Sequence, residues 1–446
     1  MLLAWVVFLF IIWLSIRDTK KAILLWVPCR LLFNPQIAIK YSAPVLTLDI
    51  AVMAYLLLLF FFKCNGKNSK YNLNTEDYIL GPALVAYFIA YFLSFIVSDF
   101  PLRSSQFFGI VKFFMRNFGL LYLLQKALNT EEDIRFFLKT TVCIIVLIVG
   151  LGIYQGVTGD NPFLDYVYYN SPQDESMEGR MFYRPLGVIN NEILRYGMRR
   201  VCSFFSFYVP FGVACVFLFF LMATLFFNKW NYIDSKIILL CTLLLIIGCF
   251  LSNTKQAYIG IVVIMMCYIK PKYIFNIRMI FIIFTLAVIV YLYPELLNNF
   301  LSLTDERLAE EGGGSTVELR QMQWGITLNL FQKNPLFGNG PETLAYFKQS
   351  VEYEGILGAE SVWFVILPQL GLLGAVTYIF SFIYLFFRLK KDMPFRIALF
   401  FLLTVFLIET GGGQKDMAIH FGMMIVVWRI YCVKNAQAKL QSGKSL

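Results

Sequence analysis

The sequence predicts an all-α polytopic membrane protein. Two observations carry this reading. Of its 446 residues, 59% are hydrophobic and the mean hydropathy is +0.68, whereas a soluble domain averages about 45–50% apolar residues. Apolar runs of spanning length also recur, as at 204–227, 237–251, 279–293 and 362–387. A bilayer core of about 30 Å takes about 20 apolar residues per helix, while an outer-membrane barrel would show short alternating segments instead.

Helices are expected at 2–16, 22–36, 43–62, 78–97, 106–125, 137–156, 204–227, 237–252, 257–270, 279–293, 361–387, 396–410 and 417–431. That makes about twelve to thirteen spans. The first run passes straight into Arg17, Asp18, Thr19, Lys20 and Lys21 with no small-residue cleavage site, so it is expected to remain as a helix. The second is interrupted by Pro28 and is not expected to cross. Loops rich in Lys and Arg (63–70, 126–139, 228–236, 270–278, 388–396 and the tail from 429) belong on the cytoplasmic side. The segments 98–105, 157–200, 252–256, 294–360 and 411–416 then fall outside. The chain divides accordingly: N-terminal helices 1–156, a first external loop 157–203, central helices 204–293, a large external loop 294–360, and C-terminal helices with a tail 361–446.

The long loop 294–360 predicts a helix of its own. After Gly312, Gly313 and Gly314, Ser315 with Glu318 reads as a capping box. The helix should end near Lys333, before Asn334 and Pro335. Leu319, Met322, Ile326 and Leu330 form its apolar stripe.

Other chemistries find little support. The net charge of +10 resides largely in short loops, where it sets topology rather than binding nucleic acid. The nine cysteines include no CxxC and suggest neither disulfides nor zinc. A single histidine, His420, rules out a histidine metal cluster; a core hydrogen bond is its expected role. Lys112 and Arg116 lie inside an apolar run, a depth at which charges are functional candidates, but snorkelling toward the outer headgroups is the favoured expectation. Gly371 and Gly374 read as helix-packing glycines. The glycine-rich turn 411–416 lacks the spacing of a nucleotide loop.

The external side carries more bases than topology predicts. Arg195, Arg199 and Arg200 precede the helix near Ser203, Lys255 sits in a short turn, Arg320 lies on the loop helix, and Glu360 opens the next span. Arginine forks pair bidentately with phosphate oxygens, and a carboxylate among them can act as a general base. The same residues have plainer readings. Glu360 suits a helix N-terminus, and the bases suit a headgroup layer.

These segments resemble the O-antigen polymerase and ligase superfamily of bacterial envelope glycosyltransferases. Glu360-Ser361, nine residues, then Gly371-Leu372-Leu373-Gly374 follow the ligases' His-[Asn/Ser/Gln], nine residues, Gly-x-x-Gly pattern except at the histidine. Arg320 with Trp324, then Asn334-Pro-Leu-Phe-Gly338-Asn-Gly340, look like the family's Arg-x-x-x-Trp and Pro-Leu-x-Gly-x-Gly loop. Arg200-Val-Cys-Ser-Phe-Phe205 and Ser252-Asn-Thr-Lys255-Gln-Ala257 fit two further positions. The resemblance implies a metal-free enzyme without cofactor, of C-type membrane glycosyltransferase fold, in the bacterial inner membrane with its site facing outward. The implied donor is a sugar on undecaprenyl diphosphate, and a polysaccharide chain-length regulator is the implied protein partner. Glu360 would be catalytic, and Arg200, Arg320, Arg199, Lys255 and Arg195 would hold the diphosphate. Glu in place of His favours a repeat-unit polymerase. A ligase acting on lipid A core, and a flippase for the same lipid-linked sugar, remain open rivals.

Overall fold

The computed structural model describes residues 2–33, 37–40, 46–64, 78–99, 103–170, 194–195, 198–205, 207–268, 317–341, 361–412 and 417–441, with residues 284, 288, 291, 298, 307 and 343. The architecture is all-α, relieved by two small antiparallel pairs, β1 (Ala38–Lys40) with β2 (Leu46–Thr47) and β3 (Leu194–Arg195) with β4 (Met198–Arg199). Among the described residues, five helices are long and apolar enough to cross a membrane: Gln106–Ala127, Glu131–Thr158, Tyr208–Phe227, Ser235–Ser252 and Trp363–Leu389. The protein is therefore a polytopic α-helical membrane protein. Of the predicted span 279–293 only residues 284, 288 and 291 are described, and Ser315 of the predicted capping box lies outside the described residues.

The N-terminal region is built from α1 (Leu2–Arg17), α2 (Thr19–Cys29), α3 (Leu48–Cys64) and α4 (Gly81–Val97). Asp18 caps α2 by accepting from the Lys21 amide at 3.0 Å. With 11 residues, α2 rises only about 16 Å, half of a bilayer core, and Pro28 stands in its last turn. α5 (Arg103–Phe114) passes through a π turn at Met115–Gly119 into α6 (Leu120–Ala127). That turn places Arg116 against Asp49, 3.4 Å away, and Asp49 also holds Arg30 at 2.9 Å. This corrects the expectation for Arg116. It turns inward to a buried carboxylate, because a guanidinium in apolar surroundings is stabilised more by a fixed counter-charge than by a stretched side chain. Lys112, one turn earlier, is exposed.

α7 (Glu131–Thr158) begins six residues before its apolar run, since Thr130 and Asp133 form a reciprocal capping box. α8 (Pro162–Asn170) was not legible as a helix in the polar loop. The centre of the molecule is α9 (Tyr208–Phe227), where every residue from Phe211 to Phe226 is buried. A helix apolar on all sides needs neighbours on all sides. α10 (Ser235–Ser252), α11 (Lys255–Met266), α14 (Phe395–Gly412) and α15 (Met417–Gln441) supply them.

The helix ends sort in space as their charges do in sequence. Lys20 meets Asp133 at 2.6 Å, Lys434 meets Glu131 at 3.2 Å, Arg388 meets Asp392 at 2.9 Å, and Arg429 donates to the Leu128 carbonyl at 3.0 Å. The segments around 20, 126–139, 388–396 and 429–434 thus share one end of the bundle. Residues 158–161, 200–205, 252–256, 361–362 and 409–411 occupy the opposite end.

Candidate functional site

The opposite end is organised by a broken helix. α13 (Trp363–Leu389) holds one residue of non-helical backbone, Gly371, at φ 63° and ψ −157°. Such a break frees carbonyls and amides that apolar surroundings cannot satisfy. The segment following α12 (Val317–Lys333) satisfies them. The Asn339 and Gly340 amides donate to the Pro368 and Gln369 carbonyls at 2.8 and 3.1 Å. The Leu372 and Leu373 amides donate to the Pro335 and Leu336 carbonyls at 2.8 and 3.1 Å. Ser94 donates to the Gln369 carbonyl at 2.6 Å, and Ser98 donates to the Asn339 carbonyl at 2.8 Å. The Asn339 side-chain amide closes the loop onto the Leu330 and Pro368 carbonyls at 2.7 and 2.9 Å.

This interlock explains the glycines. A Cβ on Gly371 would stand 2.6 Å from the Gly338 nitrogen and 2.7 Å from the Leu336 carbonyl, and one on Gly338 would collide with the Gln369 backbone. The reading of Gly371 as a helix-packing glycine is therefore corrected: it is where two backbones touch, at a φ that only glycine adopts freely. Gly374 lies against Leu370 and Ile366, both from before the break.

α12 ends at Lys333, as its sequence predicts. Its buried face keeps Leu330 of the predicted stripe but is one position on in the middle of the helix. Gln323, Thr327 and Leu330 are buried, while Met322 is 49% exposed. Trp324 packs edge-on against Phe364, ring centroids 5.0 Å apart, so Arg320, one turn earlier, lies near the start of α13. Arg320 is half-buried.

The other predicted bases reach the same end. Arg200 is buried, with its guanidinium carbon 3.1 Å from the centre of the Tyr208 ring, a cation–π seat at the first turn of α9. Its segment is anchored by Gln155, whose carbonyl oxygen accepts from the Cys202 and Ser203 amides at 3.1 and 2.9 Å. Asn161 adds a bond to the Ser203 carbonyl at 2.7 Å, and the Val201 amide donates to the Leu251 carbonyl at 3.0 Å. Arg199 packs its guanidinium over Gly159. Arg195 lies in the β3–β4 hairpin opposite Met198. Lys255 opens α11 after a left-handed turn at Asn253. Beside it, the Gln256 side chain donates to the Gly411 carbonyl at 2.9 Å. Two residues back along α14, the Glu409 carbonyl accepts from the Val362 amide at 2.9 Å. Arg200, Lys255 and the beginning of α13 are thereby joined through one framework. Glu360 itself lies outside the described residues.

Sequence reasoning missed one group entirely. Glu409, buried near the end of α14, accepts from the Tyr378 hydroxyl at 2.6 Å and faces Nδ1 of His420 at 3.0 Å. His420 thus makes the core hydrogen bond expected of it. A lone carboxylate inside the apolar run 396–410 was the available signal. Among the described residues, no three His, Cys, Asp or Glu side chains converge as metal ligands, and the described cysteines are free thiols.

The chain is thus a multi-span helical membrane protein with a broken helix clamped by the loop that follows α12. Residues 240–379 match the family model described as O-antigen ligase. This stretch holds Lys255, Arg320, the 334–340 loop and Gly371, so the match agrees with a likeness to the O-antigen polymerase and ligase superfamily, whose members are glycosyltransferase-like membrane enzymes. Arg195, Arg199 and Arg200 precede the match, and Glu409 and His420 follow it. No curated protein matches the chain.

Proposed function

We propose that the protein polymerises oligosaccharide repeat units carried on undecaprenyl diphosphate, at the outer face of the bacterial inner membrane. The observation supporting this reading is that the segments carrying Arg200, Lys255 and Arg320 are linked to one another and to the start of α13, directly after position 360. In the proposed reaction a sugar hydroxyl of one repeat attacks the anomeric carbon of another. A new C–O bond forms, the bond to the diphosphate oxygen breaks, and the diphosphate leaves with the electron pair. Glu360 takes the hydroxyl proton as general base. Arg200 and Arg320, aided by Arg199, Arg195 and Lys255, stabilise the charge that develops on the leaving group. No metal enters this scheme. Glu in place of the ligases' histidine favours polymerisation; transfer to lipid A core, as by a ligase, is the second reading, and the family match fits both.

Purified full-length protein with a lipid-linked repeat unit and chelator should build a glycan ladder. Glu360→Gln should abolish it and Glu360→His should retain part. Arg200→Ala with Arg320→Ala should cost at least about a hundredfold, since one lost preorganised donor typically costs about 3–4 kcal/mol. An unchanged ladder from the double variant refutes the diphosphate assignment. Transfer of a single glycan to lipid A core with no ladder replaces polymerase by ligase. Loss of activity under chelator refutes the metal-free scheme.

A further inference from the structure

The group of Glu409, His420 and Tyr378 has features that stability does not account for. All three are buried, at 2%, 0% and 1% exposure. Each Glu409 oxygen has one partner, the Tyr378 hydroxyl or His420 Nδ1. Among the described residues, the other imidazole nitrogen, Nε2, is buried with no hydrogen-bond partner, and so is the hydroxyl of Tyr87. Tyr87 lies close enough to Tyr378 and Glu409 for their charges to act on one another. The ring of His420 rests on Phe217, centroids 4.4 Å apart. Replacing a buried ionic group by apolar residues is often neutral or stabilising, and an orphaned buried nitrogen costs desolvation energy.

Proton bookkeeping gives the group a role. With Glu409 ionised and His420 neutral, the imidazole donates from Nδ1, and the pair carries one buried negative charge. Uptake of one proton makes the pair neutral overall, either as carboxylate with imidazolium or as carboxylic acid with imidazole. Both forms keep the Nδ1 contact and place a hydrogen on Nε2. The pair therefore exchanges charge without changing shape. Its location makes that charge matter. The backbone carbonyl of Glu409 holds the Val362 amide, two residues from position 360, and Trp363 stacks edge-on against Tyr378 at 5.4 Å.

We propose that Glu409 and His420 are positioning residues that link the mouth of α13 to a proton. The unprotonated pair places a negative charge beside that mouth, which strengthens a neighbouring base; protonation removes the charge and weakens it. Among the described residues, the other titratable groups facing the pair are Tyr378 of α13 and Tyr87 of α4, with Tyr91 beside Tyr87. The inference rests on the proposed reading that transfer occurs at the start of α13, so its test carries a readout that needs no substrate.

That readout is the pH titration, from pH 5 to 9, of the tryptophan emission lost in Trp363→Phe. Full-length wild type should show a titration step; His420→Gln and Glu409→Gln should lose it, and Tyr378→Phe should shift it by a pH unit or more. The same proteins are then assayed for glycan transfer across that range. Wild-type kcat should fall on the acid side. Glu409→Gln should flatten that limb and lower the maximum about tenfold with KM unchanged, and Glu409→Asp should restore the limb. A wild-type step that persists in His420→Gln, or no step at all, overturns the proposal. So does an acid limb unchanged in both Gln variants. If the step behaves as expected but no variant, wild type included, transfers glycan, the proton linkage stands and the polymerase reading falls. Should His420→Gln fail to fold, Tyr378→Phe decides, because it removes a single bond to the same carboxylate.

Discussion

Two helices of similar apolarity, α9 and α13, do opposite things. In α9, 89% of the spanning window is buried and the backbone is unbroken. In α13 only 44% is buried, and Gly371 breaks the helix so that a loop can dock into the gap. The difference teaches that hydropathy selects which segments enter a membrane, whereas an interrupted hydrogen-bond ladder selects where polar chemistry can be mounted there. α9 is a post, and substituting it tests packing. α13 is a socket, and substituting it tests backbone geometry.

The strongest way to break this comparison is Gly371→Ala. One methyl group would meet the Gly338 nitrogen and the Leu336 carbonyl, and the torsion alone costs about 1–3 kcal/mol. Little folded protein should be recovered, with the lowest melting temperature in detergent of any variant here. Gly150→Ala, whose Cβ meets nothing within 4 Å, should melt like wild type. Equal behaviour of the two would mean that the break is dispensable.

The post should yield less abruptly. Phe220 is fully buried against Phe401, centroids 4.6 Å apart, and Phe220→Ala should cost about 3–5 kcal/mol through the cavity it leaves. Thermal unfolding should report a lower midpoint with glycan transfer retained at low temperature. Transfer lost while the midpoint stays put would give α9 a role in chemistry that this comparison denies it.

Asn339→Ala sharpens the comparison from the other side. It deprives the Leu330 carbonyl of the Asn339 side-chain amide, while the Asn339 backbone amide still serves Pro368. The expected cost is about 1–3 kcal/mol. Faster amide hydrogen exchange confined to residues 334–341 and 368–373 would mark the loop as a separately held unit. Exchange unchanged there would show that the four backbone bonds suffice.

How much was legible beforehand differs between these regions for physical reasons. Apolar length announced α9, α10 and α13, and Asn334 with Pro335 announced the end of α12. Leu330 of the predicted stripe on α12 is buried, but Gln323 and Thr327 are covered instead of Met322, by tertiary packing that a hydrophobic stripe does not anticipate. Arg200, Lys255 and Arg320 were singled out by charge where topology expects none, and the structure joins their segments at one end. The Glu409–His420 pair escaped notice because its members are eleven residues apart, on separate helices in an apolar background.

The sequence by itself determined that this chain spans a membrane as helices, which family model its 240–379 stretch matches, and which side chains are worth testing. Those properties are local sums of apolar area, charge and motif spacing. Only the tertiary structure decided that Gly338 and Gly371 exist for each other and that Arg116 faces Asp49. It alone decided that the lone histidine lies on a carboxylate beneath the mouth of α13. Each of these depends on the approach of segments distant in the chain, and a contact between distant segments has no local signature.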